Sequence, residues 1–593
     1  MESITRGISP GPWFQTENAW QWLLLAVALA PLLAGLGAAR RRGLERLTEM
    51  PPWAGAGTWL ATWALGVAFF GFMWDVTWHA DLGRDQELFT VPHVLILLGL
   101  MGIGAAFVAA VALATLADSA PGLRVGRLRM PVSAVPLGLL AAGALAGFPL
   151  DAYWHALYGI DVTLWSPTHL LMIGAASLTP IAVWLMFREA GVHAQRGRVR
   201  RLWLAMPAMV LVGLSTFQLE FDLAIPQWEP LYQPLLLAGA MAIALTAARV
   251  AIGRGGALLA AALFLTMRAL VAVVLAVGFG RSLADFPFTL AEALCVEAAF
   301  LLTGLSVLAR AVVGGLLVAT AGLAAELGWT HLWYPLPWGW GLLHYWWMDG
   351  ALAVAGALVG AAMGNVAAGR RADLPPPAAV AALVAIGALL ALHLPLRHAD
   401  PSRVTVASSP AGPAHLEMTR TGVPLPEQPV WVNVAVSPAA APQGADWFVV
   451  IAWQGGAPVQ HADLLREADG RYRSAVPVPA GGGWKTMVML AHDDVLEAAP
   501  VAMPPDFQYG LPQVPAPQAP RTSAFVPASR LLMREAHGGP QWPAAAMVSF
   551  FALMVAAWTA ALAAAYGRVG TAGPRPPQRA RSRQPGPARE ARA

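Results

Sequence analysis

Thirteen apolar runs of about twenty residues each, separated mostly by short loops, leave this chain few folds to choose from. As a helix, a run of that length matches the hydrocarbon thickness of a bilayer, because each residue adds about 1.5 Å of rise. The runs cover 20–39, 57–79, 91–116, 131–152, 167–187, 201–221, 233–252, 256–279, 286–308, 311–328, 343–365, 377–395 and 543–566. Apolar residues make up 57% of the chain and charged residues 12%. The expected fold is therefore an all-α polytopic membrane protein, and a soluble enzyme is excluded.

The loops alternate in charge. Arg40, Arg41, Arg42 and Arg46 are followed by Asp81, Asp85 and Glu87, then by Arg124, Arg127 and Arg129, then by Asp161. Farther on, Arg196, Arg198, Arg200 and Arg201 give way to Glu220, Asp222 and Glu229, and Arg370 with Arg371 come later. Arginine-rich loops stay on the cytoplasmic side, so the expected topology in the inner membrane has the N-terminus outside and the C-terminus inside. The basic residues lie in loops and in a Pro-, Arg- and Ala-rich tail, not on a folded face, which argues against nucleic acid as a partner. The tail over 568–593 is expected to be disordered. The first apolar run has no cationic flank before it, so no cleavable signal peptide is expected. The single cysteine, Cys295, rules out an intrachain disulfide and a cysteine-based zinc site.

Between the last two apolar runs the composition changes. The expected organisation is a helical domain over 1–395, an extracytoplasmic β-sandwich with a Pro-rich linker over 396–541, and a final membrane helix over 542–567. Trp431–Val436, Trp447–Trp453 and Trp484–Leu490 alternate or run apolar between Gly and Pro turns, as strands do.

One stretch within the helical domain is repeated. Shifting the sequence by 76 residues carries Asp75 onto Asp151, Trp78 onto Trp154, His79 onto His155, Gly83 onto Gly159, Asp85 onto Asp161 and His93 onto His169. Asp75 and His79 are one helical turn apart, and His93 opens the next apolar run, so the three can close on one ion. Two imidazoles and a carboxylate suit copper(II), zinc or iron(II). Arg84 and Asp85, and Asp161 in the second copy, are placed to orient such ligands. A bland alternative exists for a lone histidine among tryptophans, since such residues also anchor helix ends at the interface. Two complete copies favour ligands over anchors.

Asp75-x3-His79, Arg84-Asp85 and Phe89-Thr90-Val91-Pro92-His93 together resemble the metal-site signature in one of the membrane subunits of the copper membrane monooxygenases, the particulate methane and ammonia monooxygenases. In that family an Asp, two His, an Arg-Asp pair and a Phe-Thr-Pro-Ser-His run follow in the same order. The resemblance implies copper held by Asp75, His79 and His93. The second copy matches more loosely, with Ile160 in place of the arginine and Trp165-Ser166-Pro167-Thr168-His169 at its close. The family carries one such motif in that polypeptide, has a histidine spacing one residue shorter, and places a His-x-His copper site in the soluble domain of a separate polypeptide. This chain has no His-x-His in its candidate β-domain.

Weaker candidates lie elsewhere. Glu326, His331 and His344 form a further ligand set among many aromatics, which also suit an interfacial belt. Phe217–Asp222, with Glu229, Tyr232 and Gln233, occupies the same place at a span end but lacks His, and reads as a degenerate third copy or, in preference, a solvated acidic loop. Arg268 with Glu292 or Glu297 reads as an intramembrane ion pair. His415, Met418, His461, Met487, Met489 and His492 are available in the β-domain. Two functions are expected: a copper-dependent, monooxygenase-like oxidoreductase acting on a small apolar substrate from the bilayer, or a copper-handling or assembly protein that receives its ion from a metal donor. Lipid is a partner in either case, and an oligomer is compatible with both.

Overall fold

The computed structural model describes residues 19–83, 89–117, 122–159, 164–192, 197–371, 402–418, 424–492, 495–507 and 509–571. Helix α1 is Ala19–Arg42. Among the described residues ten further helices are long and apolar enough to cross a membrane. They are α2 (Pro52–Leu82), α3 (Val91–Ala117), α4 (Ala134–Tyr158), α5 (Pro167–Glu189), α6 (Val199–Asp222), α7 (Tyr232–Ile252), α8 (Gly256–Gly278), α10 (Val307–Trp333), α11 (Trp340–Ala367) and α12 (Gln541–Thr571). Large apolar side chains such as Val108, Leu116, Val277 and Leu553 remain exposed on them, as a lipid-facing surface requires.

The run 377–395 and the tail from 572 lie outside the described residues. The run 286–308, expected as a span, is not a continuous helix. Residues 280–289 are irregular, α9 (Leu290–Ala299) has ten residues, and no helix resumes until Ser306 caps α10 by accepting the Ala309 N–H at 3.1 Å. Ten residues reach about 15 Å, half the hydrocarbon thickness. Thr289, with φ 56°, precedes the helix, and Gly304, with φ 77°, lies in the stretch after it. The apolar composition reads as a span, but these two backbone turns break it.

The bundle has two chemically different ends. At one, Arg370 donates to the Val250 carbonyl, Arg188 Nη2 donates to Gly369 O at 3.4 Å, and Glu189 accepts from the backbone N–H groups of Val132 and Ser133. The arginine-rich turns gather there. The other end carries the β-domain.

That domain is an eleven-stranded antiparallel sheet. In Pro424–Ser437, Val430, Val432 and Val434 are buried, and alternate residues face the other way. These valines meet Val404 and Val406 from one neighbouring strand and Val450, Val488 and Leu490 from the other arm of the sheet in one core. Trp447–Trp453 and Lys485–His492 pair antiparallel with Val488 opposite Val450, and both are buried nearly throughout. Their second face, with Trp447, Ile451, Met487 and Met489, joins Trp74, Leu219 and Leu336 of the helical domain in a shared cluster. Polar contacts fix this docking. Gly456 N–H donates to Asp81 O at 3.0 Å, His461 Nε2–H donates to Ala224 O at 2.9 Å, and His537 N–H donates to Tyr158 O at 2.8 Å. The β-domain therefore covers the bundle end at which α2, α4 and α6 finish.

Candidate metal centre

Each copy of the repeated motif is a helical hairpin with the same local construction. Helix α2 ends at Gly83 with φ 75°, and α4 ends at Gly159 with φ 82°. In each, the glycine N–H closes the final turn on the carbonyl of the histidine four residues earlier, at 3.1 Å. Glycine takes this positive φ without a Cβ penalty, so the chain turns away directly after the Asp-x3-His turn. In the second copy Ser166 caps α5 and accepts the His169 N–H at 3.1 Å, which fixes the histidine in the first turn. Thr90 stands at the corresponding place before α3.

Two glycines that the reading of the sequence did not single out set how closely the helices approach. A Cβ on Gly71 would lie 2.7 Å from Leu95 Cβ and 3.0 Å from both Ile96 N and Pro92 O. A Cβ on Gly147 would lie 2.6 Å from Met172 Cγ and 3.2 Å from Leu171 Cβ and Thr168 O. Gly71 and Gly147 are related by the same offset of 76, as are the residues they touch. A small residue one turn before each aspartate was the available signal.

The approach brings each expected trio together. Asp75, His79 and His93 offer donor atoms all within 4.8 Å of one another, and so do Asp151, His155 and His169. Asp75 Oδ1 lies 3.2 Å from His93 Nε2 and 3.6 Å from His79 Nε2. Asp151 Oδ2 lies 3.3 Å from His169 Nε2 and 3.1 Å from His155 Nε2. Two metal bonds of about 2.0–2.2 Å at a tetrahedral angle separate their donor atoms by about 3.3–3.6 Å, so the trios fit a shared ion.

Electrostatics point the same way. His155 Nδ1 faces Gly159 O at 3.4 Å, and if its proton is used there, Nε2 presents a lone pair to a carboxylate oxygen 3.1 Å away. Two acceptors at that separation need a positive centre between them, either a proton or a metal. In the first copy, buried Asp75 Oδ1 faces the Nε2 atoms of both His93 and His79, so the same requirement for a proton or a metal applies there. The copies differ at one neighbouring position. Thr168 Oγ1–H donates to Asp151 Oδ1 at 2.6 Å, whereas Pro92 stands at the equivalent place beside Asp75.

The proposed orienting residues Arg84, Asp85 and Asp161 lie outside the described residues. Other expectations need correction. Glu326, His331 and His344 do not assemble. Glu326 accepts the Phe288 N–H, His331 Nδ1 is held by Leu327 O at 2.9 Å, and His344 Nδ1 by Gly341 O at 2.8 Å. In the β-domain, His461 and His492 are tied to carbonyls of Ala224 and Ala441, and Met487 and Met489 are packed into the docking cluster, so they do not converge on an ion. A further trio there, His415, Glu417 and Glu427, lies largely exposed on a sheet edge. The acidic stretch before Glu229 is buried, not solvated. Asp222 pairs with Arg268 and accepts from Gln218 at 2.6 Å and from Tyr334 at 2.7 Å, while Gln233 links Gln218 to Trp338. Arg268 thus pairs with Asp222 and not with a glutamate, and Glu297 pairs with Arg249 at 2.8 Å.

An apolar cavity of about 120 Å³ lies between the two hairpins. Phe72, Ile96, Met172 and Ile173 line it, with Met209 and Met267 from α6 and α8. Phe72 stands three residues before Asp75, Ile96 three after His93, and Met172 three after His169. The cavity therefore sits about one helical turn into the bundle from both trios. No protein-family model, no curated protein and no solved structure matches the chain.

Proposed function

We propose that the protein is a copper-binding membrane oxidoreductase acting on a small apolar substrate, a single-chain relative of the metal-binding membrane subunit of the copper membrane monooxygenases, with a duplicated site. The observation that carries this reading is the apolar cavity one turn below two Asp-His-His trios. Asp75, His79 and His93, and separately Asp151, His155 and His169, would hold the ions. A bound copper ion would supply a redox-active Lewis acid there.

The chain's own residues supply the rest. Asp75 and Asp151 offset the ions' charge, and the Gly159 carbonyl holds His155 so that Nε2 faces inward. Phe72, Ile96 and Met172 give the cavity an apolar wall. An apolar cavity of about 150 Å³ accepts benzene, so this one suits a molecule of that size or smaller. An apolar cavity beside the trios is what a small apolar substrate would require, and this favours the oxidoreductase over a copper-handling role. The first centre is the better candidate for chemistry, because it alone carries Arg84-Asp85 and the Phe-Thr-x-Pro-His close on which the resemblance rests.

Elemental analysis of the purified full-length protein loaded with copper tests this. We expect two ions per chain, one in folded His79→Ala and one in folded His155→Ala, with oxygen uptake driven by a small hydrocarbon lost in the first variant and reduced in the second. Equal copper in all three proteins would remove the metal reading; normal loading without hydrocarbon-dependent oxygen uptake would leave the metal-handling role instead.

A further inference from the structure

The bundle carries a row of buried carboxyls that the two trios do not use. At the β-domain end, Asp222 is paired with Arg268. Toward the other end, Glu297 is paired with Arg249 and accepts the Ala257 N–H at 3.0 Å. Between them lie Glu326 and Glu292, 1% and 0% exposed. The nearest cations are therefore already engaged. Glu326 accepts the Phe288 N–H through both oxygens, at 3.0 Å each. Both oxygens of Glu292 are buried without a hydrogen-bond partner. Its side chain lies across Gly322, where a Cβ would stand 2.9 Å from Glu292 Cγ and 3.5 Å from its carboxyl carbon. Gly322 ends the π-helical turn Val318–Gly322 within α10, and Glu326 follows on the next turn. Such turns recur at functional sites, and here the widened turn with a glycine makes room for a carboxyl inside a helix pair.

Two neighbouring carboxyls in a dry interior cannot both be ionised without a cation, and ionisable groups inside a membrane commonly mark ion or proton pathways. Neither glutamate belongs to a group of three metal-capable donors among the described residues, which disfavours a metal and leaves the proton. We propose that Glu292 and Glu326 form an intramembrane proton-binding site, two buried carboxyls one helical turn apart along Gly322–Glu326 that are not both ionised at once, partway between the Asp222–Arg268 and Glu297–Arg249 pairs. Uptake forms one carboxyl O–H bond from a carboxylate and a proton, and release breaks it, with no other change in bonding. The titratable and charged groups on the elements packed around the pair are Asp222, Tyr232, Arg249, Arg268, Asp285, Cys295, Glu297, Arg310, His331, Tyr334, His344, Tyr345 and Asp349, the last buried at the start of α11.

Infrared difference spectroscopy of the full chain in lipid nanodiscs, stepped in pH, tests the assignment. The wild type should show a protonated-carboxyl band that titrates, shifts in deuterium oxide and ignores sodium. That band should vanish in Glu292→Gln and be displaced in Glu326→Gln, both with unchanged helical content. A wild type with no titrating carboxyl band overturns the proposal whether or not the variants fold. So does a band that survives both substitutions, or one that answers to sodium and not to pH.

Discussion

Gly71 and Gly147 stand one turn before Asp75 and Asp151, and the lack of a side chain there lets the next helix bring its histidine to the carboxylate. Alanine at position 71 would gain about 1 kcal/mol in helix propensity. It would also overpack the contact, at a cost of about 1–3 kcal/mol, and two of the three atoms it meets are backbone atoms of α3 that can move only with the helix. The cost should win. Gly71→Ala is expected to lower stability by up to about 2 kcal/mol net and to strip the ion from the first centre while leaving the second loaded, as elemental analysis would read. Full occupancy of both centres in the variant would show that ligand geometry does not depend on this approach. The two Asp-His-His trios were legible in the sequence, because Asp and His at a turn's spacing, twice, are rare at a membrane edge. The partner of Arg268 was not, since Asp222 lies 46 residues away and nothing in the local sequence distinguishes it from Glu292 or Glu297.

Among the elements, α9 shows why an apolar run need not be one continuous helix: hydropathy records composition, whereas Thr289 and Gly304 decide where the backbone turns. The strand Gln460–Arg466 shows a second effect of context. His461 lies on it, and its Nε2–H reaches Ala224 at the end of α6. Burial there pushes the imidazole's pKa below its ordinary value of 6.5, overcoming the opposite pull of the Ala224 carbonyl and Asp463. The native state thus prefers neutral His461, whereas the undocked strand takes a proton from about pH 6.5 downward. Docking stability should be full above that pH and should fall as the pH drops toward the lowered native pKa. Hydrogen exchange of the β-domain, followed between about pH 7.5 and about pH 5 so as to bracket the ordinary histidine value, should show loosening that His461→Gln flattens. The same acid response in the variant would assign it to another group.

For the whole molecule, the arginine-rich turns gather at one end of the bundle, and the β-domain with both candidate centres occupies the other. This partition leads to the prediction that the β-domain and the trios face the extracytoplasmic side, with the arginine end in the cytoplasm. Reporter fusions after His93, after Asp161 and within 402–527 should all behave as extracytoplasmic, and one after Arg371 as cytoplasmic. A cytoplasmic signal from the β-domain fusion would invert the topology.

By itself the sequence determined that the chain is built of membrane-length helices with a β-domain before the last, and that two Asp-His-His sets recur at one offset. Both follow from patterns that local physics reads directly: apolar length against bilayer thickness, alternation in strands, and residues one turn apart on a helix. Only the tertiary structure decided which charges pair, that the acidic turn at Asp222 is buried, that 286–308 is broken, and that an apolar cavity lies beneath both trios. Those outcomes depend on which helices become neighbours. That choice is made by close-packing at glycines and by desolvation of charges far apart in the chain, neither of which leaves a periodic trace in the sequence.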